Sequence, residues 1–320
     1  MQYQDQKQHS ANFLALTSLT VLEFEYLLDV FSFEWEKYYK YHTLTGQKKR
    51  LPAFAEHGNS RLKGTDQKLF FLVVYLKNYP LQTFQGASFG LSQAAVSKIY
   101  RVLLIILNQT LARLKLAPCR DAAALKIALS KQKHRVFWLD GTETPLQRNQ
   151  DQQAQEEEFS GKKRSHQCKN LTLCDAHQYV HYLSSTEPGS MHDKALADLD
   201  PLQLPSGSVL KQDLGFVGHA PAGVVIEMPF KKPRNIPLPF GKKIYNKILS
   251  QTRVLVEHAN SGLKRLRRFK ETCRIRQEQV RDCIRVVACG LHNLRVIGID
   301  KIRSYKTSSR LLAYVNTKAE

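Results

Sequence analysis

The hydrophobic pattern of this chain changes once, near residue 121, and that change constrains the fold more than any other feature. Before it, apolar residues recur at helical spacing. Residues 20–32 (TVLEFEYLLDVFS) place Leu22, Tyr26, Leu27 and Val30 on one face, and Thr20 with Glu23 three positions on has the form of a capping box. Residues 40–64 are polar and basic and read as a loop; residues 65–77 (TDQKLFFLVVYLK) read as a second helix. After the change come short apolar runs bounded by turn residues. Residues 134–140 (HRVFWLD) read as a strand that ends in an Asp-Gly turn. Residues 170–174 and 179–184 read as a hairpin about a turn at 175–178. A short helix at 189–199, a fourth strand at 208–213 and a fifth at 224–228 follow. From 241 to 296 helical spacing returns, with Leu255, Ala259, Leu263 and Leu266 on one face and Ile284, Val287, Leu291 and Leu294 on another. Residues 150–158 (QDQQAQEEE) read as a solvated loop. Strands followed by helices, with a hairpin inside, predict an α/β fold: a mixed sheet flanked by helices, preceded by an all-α region. The expected domains are 1–120, helical; 121–300, α/β; and a C-terminal tail, 301–320.

Charge narrows the partner. Lys and Arg number 48 against 28 acids, a net charge of +20, and from Lys231 onward there are 22 basic residues against 6 acids. A field of that sign attracts polyanions, and nucleic acid is the usual one. Ribosomal, membrane-surface and heparin-binding proteins share the trait. No run of 18 apolar residues occurs, so no membrane span is expected, and MQYQDQKQHS lacks a signal-peptide core. The six cysteines show no CxxC pairing, which argues against a zinc knuckle or a disulfide framework and fits a reducing, cytoplasmic interior.

One helical segment is more specific. Residues 81–85, the turn GASFGLS and residues 93–107 read as helix, turn, helix. Gly86 and Gly90 permit the turn, and Ser92 is a natural N-cap. Val96, Ile99, Tyr100 and Leu103 take core spacing and leave Gln93, Ser97, Lys98 and Arg101 outside. A helix-turn-helix whose second helix enters the major groove has this layout, and so does an ordinary pair of packed helices.

Three acids stand apart from the surface charge. Asp140 follows the apolar run VFWL, Asp213 follows VLKQ, and Glu257 lies in RVLVEHANSGLKR with Arg253 four residues before it, placed to steer its carboxylate. Three converging carboxylates repel and hold together only around cations. Hard oxygen ligands suit Mg2+ or Mn2+, and a pair of such ions serves in-line phosphoryl transfer. Taken singly, each acid is equally a turn-forming Asp or a surface Glu, and position alone does not establish that they converge.

Taken in order, LDGTETPLQRN, EEEFSGKKRSHQCKNLTLCD, GSMHDKALADL, LKQDLGFVG, MPFKKPR and VEHANSGLKRLR resemble the DDE endonucleases of bacterial insertion sequences and their Harbinger-type relatives, over about residues 130–300. The region ahead of them resembles the helix-turn-helix module of the bacterial members. The resemblance implies an RNase H-like core in which the first acid ends the first strand, the second follows the fourth strand and the third lies on a later helix. Asp140, Asp213 and Glu257 take those places. It further implies two Mg2+ or Mn2+ ions, with Asp140 bridging both, Asp213 holding one and Glu257 the other. The implied activity is nicking of double-stranded DNA at terminal inverted repeats and transfer of the 3′ hydroxyl into target DNA. A homo-oligomer assembled on DNA, in the bacterial cytoplasm and associated with the nucleoid, goes with it. Lys162 and Lys163 (SGKKR) read as phosphate contacts near the site or as a basic loop; of Lys264, Arg265, Arg267, Arg268 and Lys270, some are expected to face solvent and some to track a DNA backbone, with affinity falling steeply in salt. Asp193 competes with Asp213 for the second place; Asp213 is preferred because it terminates a strand, and Asp193 is expected to cap or steady the short helix. Phe216 stands where Tyr is common and Asn149 where Pro is common, and neither is a proposed ligand. His166, His192 and His258 are expected in supporting roles. Three other readings compete: a domesticated DNA-binding protein, an RNase H-like nuclease without strand transfer, and a basic structural protein whose three acids tolerate Ala.

Overall fold

A computed structural model describes residues 1–298 apart from 54, 57, 59 and 131–134. The expected tail, 301–320, and His134 at the head of the expected first strand lie outside the described residues. The chain divides into two compact units. One holds Met1–Ala117, Arg265–Arg268 and the described residues from Cys283 onward; the other holds Pro118–Lys264 and Phe269–Asp282.

The first unit opens with α1 (Tyr3–Gln6), α2 (Ser10–Thr17), α3 (Val21–Tyr39), α4 (Thr65–Asn78), α5 (Gln82–Phe89) and α6 (Gln93–Arg113). Every residue of α4 from Gln67 to Leu76 is buried, as a helix apolar on all sides requires. Its one buried cation, Lys68, meets Glu56 at 2.6 Å. The Thr20–Glu23 capping box forms at the head of α3. The buried stripe of α3 is not the expected one: Phe24, Leu27, Phe31 and Trp35 turn inward, and Leu22, Tyr26 and Val30 stay partly exposed. Large rings bury the most area, so the aromatic stripe decides which way the helix faces. Tyr3, Phe13, Phe24 and Phe70 then stack or meet edge-on with ring centroids 4.8–6.1 Å apart.

The turn between α5 and α6 begins at Gly90, later than the sequence suggests, because α5 continues through Gly86. Gly90 is left-handed, and the Leu91 amide closes back on the Gly86 carbonyl at 2.8 Å. A Cβ on Gly86 would lie 2.4 Å from the Leu91 oxygen, so the close approach itself demands glycine. Ser92 caps α6 by accepting from the Ala95 amide. Gln93, Lys98 and Arg101 are exposed and Ser97 is half-buried, while Val96, Ile99, Tyr100 and Leu103 are buried. Among the described residues α6 alone is long and apolar enough to cross a membrane; more than half of that stretch is buried, as in a core helix.

Arg268 also belongs to the first unit. It is 4% exposed, with its guanidinium over the rings of Tyr79, Tyr75 and Tyr100 at 4.2, 5.2 and 5.5 Å. Aromatic faces take up its charge, so the expectation that it tracks a DNA backbone is corrected.

The second unit runs α7 (Ala122–Leu129), β1 (Val136–Pro145), α8 (Gln152–Glu158), β2 (Phe159–Ser160), β3 (Ser165–Asp175), β4 (Val180–Leu183), β5 (Glu187–Pro188), α9 (Asp193–Leu199), β6 (Val209–Lys211), a 3-10 turn (Leu214–Phe216), β7 (Val225–Glu227) and α10 (Phe240–Leu263). Two helices, α11 (Arg267–Lys270) and α12 (Glu278–Ile297), follow and have residues in both units. The sheet order is β2-β3-β1-β6-β7, with β4 and β5 also on β3. β1 is antiparallel to β3 and parallel to β6, and β6 is parallel to β7. This curled mixed sheet flanked by helices is compatible with an RNase H-like core.

Two local expectations are corrected here. Asp140-Gly141 does not end β1, because the eleven residues of β3 offer a ladder that carries β1 on to Pro145. Residues 152–158 are helical rather than a loop, with Asp151 capping the Ala154 amide. Side chains alternate across β1 and β3. Phe137, Leu139, Leu171 and Leu173 join Leu125, Leu129, Leu196, Leu210 and Phe216 in one core. The alternate positions, Asp140 and Thr172, face the other way, toward α10. The packed stripe of α10 is Leu249, Val256, Ala259, Asn260 and Leu263, with Leu255 only half-buried. All six cysteines are free thiols.

Candidate active site

The parallel pairing of β1 with β6 ends at Trp138 and Lys211. Between Asp140 and Thr144 β1 has no ladder partner on that side among the described residues, until Cys273 bonds to Pro145, and Asp140, Gly141 and Glu143 there line a cavity of about 410 Å³. Four acids (Asp140, Glu143, Asp193 and Asp213) and five cations (Lys162, Lys163, Lys169, Arg253 and Lys264) line it.

Burial pushes the Asp140 carboxyl up to about 6, the Arg253 charge pulls the other way, and the Asp213 charge adds to the rise. Two groups favour its ionised form: the Gly141 amide and the Asn260 side chain, whose Nδ2 donates to Asp140 Oδ2 at 2.9 Å. Asp213 lies beyond the end of β6 and caps the 3-10 turn, accepting from the Gly215 amide at 2.8 Å. Arg253 reaches Asp213 Oδ2 at 3.7 Å, so it steers this acid and not Glu257 as the sequence suggested. Glu257 is exposed on α10. It sits four residues after Arg253 and seven before Lys264, on the helix face that both share. The structure therefore brings Asp140 and Asp213 to one cavity and places Glu257 on the adjoining helix face. Among the described residues, no three His, Cys, Asp or Glu side chains form a ready-made metal group.

Asp193 is held differently. Lys169, itself buried, meets Asp193 Oδ1 at 2.9 Å and Glu143 at 3.6 Å and donates to the Met191 carbonyl at 2.9 Å. Glu143 and Lys169 are direct partners across β1 and β3, three register steps from Asp140 and Thr172, an odd number, so they leave the opposite face of the pair. Asp193 is the first residue of α9 and not its cap; it steadies the helix through Lys169 and through its place in the first turn. Its charge is already met. That of Asp213 has only a long, partly exposed pair. A Cβ on Gly215 would come within 2.9 Å of both Asp193 Oδ2 and Asp213 Oδ1, so the close approach of these carboxylates depends on glycine there.

The basic wall is crowded too. Burial lowers the Lys264 ammonium, neighbouring Lys163 lowers it further, and Asp140 and Glu143 draw it back. Lys162 and Lys163 line the cavity and are exposed; Arg265, also exposed, belongs to the first unit and is not among the cavity residues. His166, His192 and His258 are not among the cavity residues. Sequence reasoning missed Lys169, Thr172 and Asn260. Asn260 alone left a signal, since it falls three residues beyond Glu257 on a helical face.

Residues 139–293 match the family model of the DDE superfamily endonucleases. That stretch of the chain is a DDE superfamily endonuclease domain. The span begins at the residue before Asp140 and contains Asp213 and Glu257. The probable transposase for insertion sequence element IS702, from Microchaete diplosiphon, is 26% identical over 200 residues, covering 62% of this chain and 69% of that protein. Together these make this DDE endonuclease an enzyme of the DDE transposase type. No solved structure matches it. DDE endonucleases typically use divalent metal ions, and DNA is the substrate that transposases of the superfamily imply. The donors here suit such an ion: magnesium is commonly held by one or two carboxylates, with water and substrate phosphate completing its shell. Asp140 and Asp213, which line one cavity, are the pair that would supply such donors.

Proposed function

We propose that this enzyme is a DNA transposase that nicks double-stranded DNA at the terminal inverted repeats of its element and joins the freed 3′ hydroxyl to target DNA. The observation that carries this reading is the meeting of Asp140 and Asp213 in a cavity whose wall holds Lys162, Lys163, Lys264 and Arg253. An acidic floor under a basic wall fits a phosphodiester bound together with divalent cations.

Asp140, Asp213 and Glu257 would hold two Mg2+ or Mn2+ ions. When bound, such ions supply Lewis-acid assistance to in-line displacement at phosphorus. The protein's own groups position and bind. Lys264, whose affinity for protons burial and the neighbouring Lys163 lower, offers its charge to a phosphate together with Lys163. Arg253 holds the orientation of Asp213. No covalent bond between protein and DNA is required.

The helical region, 1–120, reads DNA through Gln93, Ser97, Lys98 and Arg101 on α6, and residues 121–300 carry the chemistry. Joining two DNA ends calls for a homo-oligomer on DNA, by analogy with other transposases. The work takes place in the bacterial cytoplasm, at the nucleoid.

The test is incubation of the full chain with Mg2+ and DNA carrying the inverted repeats that flank its coding sequence. Joined products are expected. Nicks without joining would make it a nuclease, and retention of DNA without nicks a binding protein.

A further inference from the structure

Taking Asp140 as a divalent-ion ligand, as proposed above, we propose that Asn260, itself locked by Thr172, is the positioning residue that aims the Asp140 carboxylate into the cavity. Asp140 and Thr172 are direct partners across β1 and β3, so their side chains leave the same face of the sheet. On that face Asn260 bridges them. Its Nδ2 donates to Asp140 Oδ2 at 2.9 Å, and its Oδ1 accepts from Thr172 Oγ1 at 3.0 Å. The Thr172 hydroxyl also faces the Asp140 carbonyl at 3.3 Å, but it has one proton to give and the shorter contact goes to Asn260. A hydroxyl that donates to Oδ1 fixes which end of the amide accepts. The other end, a donor, is thereby turned to Asp140.

The residue types fit this task. Asn260 is 7% exposed and Thr172 fully buried, so water does not compete for either bond. A carboxamide gives a donor to one neighbour and an acceptor to the other while carrying no charge. A lysine there would neutralise Asp140, and an aspartate would repel it. One oxygen of Asp140 is engaged by the amide, which fixes the rotation of the carboxylate. Both anchors are regular secondary structure, β3 and the 24-residue helix α10. Because the Asn260 oxygen is turned to Thr172, Asn260 acts through Asp140 and is not a ligand itself. The long separation in sequence, 120 residues between Asp140 and Asn260, is why no local motif announces the pair.

The experiment is titration of the full-length, metal-free chain with Mn2+, followed by electron paramagnetic resonance, for the wild type, Asn260→Ala, Thr172→Val, Thr172→Ser and Asp140→Ala. Melting temperature and DNA affinity are measured alongside. Groups that orient a metal ligand typically change metal affinity by about 10–100-fold when removed. That loss is expected for Asn260→Ala and Thr172→Val, with melting temperature and DNA retention near wild type. Thr172→Ser keeps the hydroxyl and holds Mn2+ affinity near wild type. A folded Asn260→Ala that binds Mn2+ as the wild type does would overturn the inference. If Asn260→Ala does not fold, wild-type affinity in Thr172→Val overturns it, as does a Thr172→Ser that falls as far as Thr172→Val. A wild-type chain that binds no Mn2+, or an Asp140→Ala that binds it undiminished, removes the assignment of Asp140 as a ligand, and the inference with it. Loss in Asp140→Ala beside no loss in Asn260→Ala removes the positioning role alone.

Discussion

Two carboxylates on the same pair of strands are treated in opposite ways. Asp175 ends β3 and Asp140 lies three register steps away in β1. Burial works against the charge of both. At Asp175 it is outweighed: His181 Nε2 lies 2.9 Å from Oδ2, the amides of His177 and Tyr179 reach Oδ1 at 2.9 and 3.0 Å, and the carboxyl is held below its ordinary range. At Asp140 burial wins, and the group is pushed up to about 6. The hairpin satisfies its acid with groups no more than six residues away. The cavity meets its acid with the charge of Arg253, one hydrogen bond from Asn260 on the same distant helix and one amide, beside a second carboxylate. An acid that builds the fold is completed by the chain; an acid that does chemistry is left for substrate and cation to complete. Asp193, with Lys169 at hand, belongs to the first kind.

Five substitutions break or sharpen that contrast. The largest effect is expected for Asp140→Ala. Nicking in Mg2+ should fall by about 10³-fold or more, because the lost assistance is worth several kcal/mol, while retention of DNA in a gel changes little. Undiminished nicking would place the chemistry elsewhere. Asp175→Ala should do the reverse. It leaves a buried imidazole and two amides without their acceptor and lowers unfolding stability by about 3 kcal/mol in urea, with nicking per folded molecule unchanged.

Third, Asp140→Asn should stabilise the metal-free protein at pH 8. The folded carboxyl titrates above its ordinary 3.8, so its contribution to stability is fully present below that value and is lost as pH rises through about 6. Above pH 6 the charged group costs up to about 3 kcal/mol, which the amide removes. Thermal melts at pH 8 and pH 4 should show a gain at the first and none at the second. The smallest effect concerns the wall: Lys162→Ala and Lys163→Ala should each flatten the slope of log affinity against log salt by about 0.9, with no change in melting temperature.

The sequence makes some of this visible and hides the rest for definite reasons. The capping box of α3, the Ser92 cap of α6 and the β3–β4 hairpin are local, and they form where local rules put them. Asp-Gly reads as a turn but lies mid-strand, since a long partner strand outweighs a two-residue signal. The fate of Arg268 depends on three tyrosines about 170 to 190 residues earlier, which no spacing within its helix reveals. Arg253 could be placed on the Glu257 face from helical geometry alone, but its contact with Asp213 depends on where β6 ends. Asp140 and Asp213 were readable as acids beside apolar runs; that they share a cavity is a property of the parallel β1–β6 pair.

Gly215 carries a consequence for inheritance. Every single-base change in a glycine codon that alters the residue adds a side chain or a stop. A Cβ here meets two carboxylate oxygens at 2.9 Å, so the side chains of Asp193 and Asp213 would have to shift from their places. A drifting gene copy can therefore keep all its acidic residues and still lose its site through this one codon.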